Sequence, residues 1–144
     1  MRHQRGFSYL FVLFFVAITA ASLAALGQSW SIAVQREKER ELEFRGNEIA
    51  RAIRSYRNSG VGQQSPTTLQ DLLEDTRSMP ARHHLRRLYV DPFTGAADWE
   101  LTADPAQPGR FSAVRSRSEQ DLLKQVSSDG QVVQTARSWT FGAR

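Results

Sequence analysis

Apolar and polar positions are distributed very unevenly along the chain. Phe7 to Leu26 reads FSYLFVLFFVAITAASLAAL, in which Ser8, Tyr9, Thr19 and Ser22 are the only polar residues, and no charged residue occurs from Gly6 to Gln35. Twenty residues at about 1.5 Å each give roughly 30 Å of helix, the thickness of a bilayer's hydrocarbon core. A helix of a soluble core keeps a polar face, whereas this run is apolar all round. The pattern therefore predicts a transmembrane segment over about 7–27, with Phe7, Leu10, Phe11, Phe14, Leu23 and Leu26 among its apolar side chains. A secretory signal peptide is the competing reading. Arg2 and Arg5 would form its basic region, and small residues follow at Ala17, Ala20, Ala21, Ala24 and Ala25, but the run exceeds the usual apolar region of roughly 7 to 15 residues.

From Arg36 the period changes. Leu42, Gly46, Ile49, Ile53 and Tyr56 recur at spacings of four, three, four and three, which places them on one helix face. That stripe, with Leu42, Ile49, Ile53 and Tyr56 as its large members, is the expected docking face for the rest of the chain. Around it Glu41 and Arg45 stand four apart, and Arg40/Glu43 and Glu48/Arg51 three apart, as opposite-charge pairs. The REKERELEFR run then reads as a solvated outer face. Gly and Pro cluster in Asn58–Pro66, so the sequence predicts one helix over 7–58 and a linker over 59–68.

Beyond the linker, Thr68 and Asp71 form a capping pair before Leu69, Leu72 and Leu73, predicting a short helix to about Asp75. Short strands are expected at Leu88–Val90, Asp98–Leu101, Phe111–Val114, Gln131–Val133 and Ser138–Phe141. Asp91-Pro92-Phe93-Thr94-Gly95 is a turn in which Asp91 bonds forward to the backbone, Pro92 fixes φ and Gly95 relieves the exit. Only 17 of the 86 residues from Ser59 to Arg144 are Leu, Ile, Val or Phe, too few for a core without a partner surface. The helix stripe supplies one. The expected fold is α+β: a long N-terminal helix with a small C-terminal antiparallel sheet packed on its second half, and a head over 69–144 in which Trp99 and Trp139 are core anchors.

Composition adds mainly exclusions. The chain has 144 residues, one domain's worth, with 19 Lys+Arg against 15 Asp+Glu. Seven bases and five acids between Arg36 and Arg57 are too balanced for a phosphate-binding stripe, so no nucleic acid is expected. With no cysteine there is no disulfide framework, thiolate zinc site or cysteine nucleophile. His83 and His84 are adjacent, cannot face one another, and are expected at the surface without a metal. The sequence carries no nucleophile elbow or Gly-rich phosphate loop, and no serine can be placed beside a histidine by spacing, so no enzyme is expected.

Two stretches resemble a known family. Arg5-Gly6-Phe7-Ser8-Tyr9-Leu10 resembles the type IV prepilin cleavage motif. The resemblance implies that a prepilin peptidase cuts between Gly6 and Phe7 and methylates the new N-terminal Phe7. Pro66-Thr67-Thr68-Leu69-Gln70-Asp71-Leu72-Leu73, then Arg86-Arg87-Leu88-Tyr89-Val90-Asp91-Pro92-Phe93-Thr94-Gly95 and Asp98-Trp99, is similar to the head of the major-pseudopilin-like branch of type II secretion. It implies a structural subunit of a pseudopilus, single-pass in a bacterial inner membrane, with a cytoplasmic leader of residues 1–6 and a periplasmic head. Its implied partners are other pseudopilins or pilins, the prepilin peptidase and an inner-membrane assembly platform. Lys and Arg counts do not orient the chain by themselves, since Arg2 and Arg5 on one side face Arg36, Lys38, Arg40 and Arg45 on the other. Phe11 departs from the family, most of whose members carry there a glutamate that neutralises a neighbouring subunit's N-terminal ammonium. Losing that acid weakens docking beneath another subunit. Major pseudopilins hold calcium in a later head loop; here Asp98, Asp104, Asp121 and Asp129 lack a dense ligand spacing, so no cofactor is expected and calcium is the alternative. The alternative functions are a minor pilin of a type IV pilus or DNA-uptake system, and an uncleaved single-pass anchor for a small binding module.

Overall fold

The computed structural model describes residues 5–142, the side chains of residues 5–8, 25, 26, 28 and 29 excepted. The architecture is α+β. Helix α1 (Arg5–Ser59) is followed by a short helix α2 (Gln70–Leu73) and three antiparallel strands, β1 (Glu100–Ala103), β2 (Phe111–Arg115) and β3 (Thr140–Gly142), in the order β1-β2-β3. The chain divides into two compact units, up to Arg36 and from Glu37 onward, and α1 contributes to each.

In the first unit every side chain from Tyr9 to Ala24 is exposed. Thr19 Oγ1 donates to Val16 O at 2.9 Å and Ser22 Oγ to Ile18 O at 2.8 Å, so these hydroxyls are satisfied within their own helix. Among the described residues no helix is long and apolar enough to cross a membrane. The described apolar run covers 9–24; the side chains of Phe7, Ser8, Ala25 and Leu26, at the ends of the segment expected from the sequence, lie outside the described residues.

The second unit is built on α1's apolar stripe. Leu42, Ile49, Ile53 and Tyr56 are buried together with Leu72, Leu85, Trp99, Phe111, Val114, Val133, Ala136, Trp139 and Phe141. Each fully buried aliphatic of this set contributes about 2 kcal/mol of apolar transfer. Sheet and helix meet at Gly46, against which the Phe141 ring of β3 lies directly. That ring also packs against Trp139 (centroids 5.2 Å) and Trp99 (6.4 Å, edge-on).

Helix α1 ends where its last carbonyls find other donors. Tyr56 O accepts from Ser59 Oγ at 2.9 Å and from the Arg77 guanidinium at 2.7 Å, and Gly62 follows at φ +79°. Thr68 Oγ1 and Asp71 carry out a reciprocal exchange, the Asp71 carboxylate accepting from Thr68 N–H at 3.0 Å while Asp71 N–H reaches Thr68 Oγ1 at 3.4 Å. The helix they start is shorter than the sequence suggests, closing at Leu73 with Glu74 extended.

Several expected strands are displaced or absent. Leu88–Val90 is not a strand, because its carbonyls are taken by side chains: Val90 O accepts from Arg45 Nη1 and Tyr89 O from Trp99 Nε1, both at 2.7 Å. Gln131–Val133 makes only an isolated bridge, Val126 to Val132, while the Gln131 amide donates to Thr140 O at 2.9 Å along the outer edge of β3. β1 starts at Glu100 and runs to Ala103, with an irregularity after Thr102. Ser138 closes a 3₁₀ turn, Ala136–Ser138, instead of opening β3; Thr135 and Ser138 cap it reciprocally.

Candidate functional site

The candidate surface of α1's first half is apolar and unpartnered. Leu10, Phe11, Phe14 and Leu23 are all about two-thirds exposed. Gly6 and Phe7 have helical backbone within α1; their side-chain surroundings, that of Leu26, and residues 1–4 lie outside the described residues.

Head residues singled out from the sequence form a polar frame around the core. Asp91 is fully buried: its carboxylate accepts from Phe93 N–H at 2.8 Å and from Ser116 Oγ at 2.6 Å. Its carbonyl accepts from Gly95 N–H at 2.8 Å, and Gly95 sits at φ +74°, a region closed to most side chains. The turn thus bolts the segment before β1 to the end of β2. Pro66 is buried and its carbonyl accepts from Phe111 N–H at 3.0 Å, fixing the residues before α2 to β2. Leu72 is buried, Leu69 packs on the core edge, and Trp99 is buried within it. Hydrogen bonds from Thr67 and Thr68 outweigh burial and hold the Asp71 carboxyl below its ordinary range, although burial is the largest single influence.

Two features were not legible in the sequence. Glu39, expected on a solvated face, is buried and accepts backbone N–H bonds from Leu123 at 2.5 Å and Lys124 at 3.1 Å. Beside it Arg40 pairs with Glu37 at 3.5 Å, not with Glu43. Glu43 instead takes Lys124 at 2.8 Å and Ser128; burial pushes its carboxyl up, but those bonds prevail and its pKa is lowered. These partners are more than eighty residues apart, so no local pattern announces them.

The second feature corrects the histidine reading. His83 is exposed, but the His84 side chain is only 4% exposed. Its Nδ1 lies 2.8 Å from Ser55 Oγ and its Nε2 lies 3.2 Å from Asp75 Oδ2. An ionised Asp75 only accepts, so in a neutral His84 the proton sits on Nε2 and Nδ1 accepts from Ser55. Hydrogen bonds from Arg77 hold the Asp75 carboxyl well below the usual carboxylate range, against burial and with His84 acting in the same direction. The guanidinium also lies 3.4 Å from the Tyr56 ring centroid.

Serine, histidine and aspartate here have the connectivity of an activated nucleophile, but the surroundings suit a structural staple. Ser55 lies inside α1, where backbone N–H groups are spent on the helix, so they cannot serve a developing oxyanion. Asp75 already carries Arg77 as its counter-ion. The cluster ties the C-terminal end of α1 to the segment after α2.

The carboxylates considered for calcium are dispersed. Asp98 accepts from Thr94 Oγ1 at 2.5 Å, Asp104 from Ser65 Oγ at 2.6 Å and Ala106 N–H at 2.9 Å, and Asp129 is bonded by Ser127 and Gln131, while the backbone of Asp121 forms an isolated bridge with Thr135. Among the described residues no group of three or more His, Cys, Asp or Glu is placed to hold a metal. Comparison with protein-family models, curated proteins and solved structures gives no match for this chain.

Proposed function

We propose that the chain is a structural, non-enzymatic subunit of the pseudopilin kind. Prepilin peptidase cuts after Gly6 and methylates Phe7, the first half of α1 anchors the chain in a bacterial inner membrane, and the head faces the periplasm. From there the subunit joins other pseudopilins, on an inner-membrane assembly platform, in a short fibre serving type II secretion. The observation that carries this reading is the uninterrupted exposed surface over 9–24, apolar but for Tyr9 and for Thr19 and Ser22, whose hydroxyls bond back to the helix, within a stretch without charge from Gly6 to Gln35. Such a surface has two homes, lipid and other helices of its own kind. Lipid tails are as apolar as leucine, so exchanging one for the other costs little apolar burial. A subunit that waits in a membrane and is then drawn into a fibre needs that near-balance.

Phe11 favours a minor place in the assembly, in this or a related pilus or DNA-uptake system, because it offers no charge to a neighbour's N-terminal ammonium. Photo-crosslinking in native membranes tests the assembly. A benzophenone amino acid substituted at Phe14 is expected to capture a second pilin-like subunit. Capture of lipid alone in cells with assembled fibres would contradict the reading and leave an anchored binding module.

A further inference from the structure

We infer that Trp30 is an interfacial anchor, its indole seated among lipid headgroups on the head-proximal side of the membrane, where with Tyr9 it sets the depth of the span; this rests on the membrane-anchored reading above. The chain has three tryptophans, and they divide sharply by environment. Trp99 and Trp139 are 4% and 1% exposed, and the Trp99 indole donates to Tyr89 O at 2.7 Å. Trp30 is 76% exposed and its N–H donates to no described residue. An indole in that state gains most where its ring meets acyl chain and its N–H meets ester or phosphate oxygen, which is the membrane–water boundary.

Spacing supports the placement. Tyr9, 69% exposed, stands twenty-one residues before Trp30, about 31 Å of helix rise against a hydrocarbon core of about 30 Å. On an ideal helix the two positions stand about 60° apart around the axis, on neighbouring faces. The first charge beyond, Arg36, falls about 9 Å past Trp30, outside a headgroup layer of about 5 to 8 Å. In the sequence Trp30 is neighboured by Gly27, Gln28, Ser29 and Ser31, a stretch of the modest polarity that a boundary segment requires.

The test uses the full chain in phosphatidylcholine–phosphatidylglycerol vesicles, with lecithins brominated either near the headgroup or near the acyl-chain end as depth-resolved quenchers. Tryptophan emission is expected to be quenched more by the shallow bromines. Trp30→Phe should lose the quenchable fraction while keeping the blue-shifted emission of the two buried indoles, which reports an intact head. Stronger quenching by the deep bromines, or none by either lipid in a chain that floats with the vesicles, overturns the anchor and gives Trp30 to the bilayer interior or to a second copy. A chain that does not float overturns the membrane reading itself.

Discussion

The contact between Phe141 and Gly46 makes the strongest single-site test of how the head is mounted on α1. A β-carbon at position 46 would fall 2.6 Å from Phe141 Cδ1 and closer still to two other ring carbons, where ordinary contact begins near 3.4 Å. The ring cannot simply retreat by the roughly 1 Å required, because it is almost fully buried and packed against Trp139 and Trp99. Overpacking of this kind costs about 1–3 kcal/mol, against a helix-propensity gain of about 1 kcal/mol for Gly→Ala. Gly46→Ala is therefore expected to destabilise the head, and Gly46→Val to do so more. Gly27→Ala, with nothing within 4 Å of the added methyl, is the control and should leave the head's melting unchanged. The assay is thermal unfolding of the full chain in detergent, followed by near-ultraviolet circular dichroism of Trp99 and Trp139. In a double-mutant cycle, Phe141→Ala should absorb much of the Gly46→Ala penalty, giving clear non-additivity. A Gly46→Ala chain that melts at or above the parent, as propensity alone demands, would refute the reasoning.

Two further predictions concern polar groups. Glu39→Ala removes the acceptor of two backbone N–H groups in a buried site, and should cost about 1–3 kcal/mol in the same melt, with faster amide exchange confined to Leu123 and Lys124; unchanged exchange there would contradict the contact. Asp75 is held below its ordinary pKa in the fold, so its stabilisation is complete above its unfolded value of about 3.9 and is lost as pH falls through and below that value. The head's melting temperature should fall on acidification from about pH 5 to about pH 3, Asp71, Glu43 and Asp104 acting with the same sign, and Asp75→Asn should flatten part of that slope.

What the sequence reveals is what local periodicity encodes. The three-four spacing of Leu42, Ile49, Ile53 and Tyr56 marks the buried face of α1, and the turn chemistry of Asp91, Pro92 and Gly95 is readable because each residue acts within five positions. Leu88–Val90 reads as a strand by composition, yet its carbonyls go to Arg45 and Trp99, residues whose reach no local pattern encodes. Glu39 and His84 escape local pattern for the same reason. A glutamate in a charged run and one of two adjacent histidines look solvated until Leu123, Lys124, Asp75 and Ser55 are brought to them by the fold. Trp30 was the reverse case, an aromatic unremarkable in sequence whose exposure in the structure sets it apart from the other two tryptophans.

The central claim is that this chain is processed as a prepilin, and mass spectrometry of its N-terminal peptide from native membranes tests it most directly. The account predicts a peptide that begins at Phe7 and carries one methyl group on its α-nitrogen. A peptide that retains Met1 and the Gly6–Phe7 bond would contradict it.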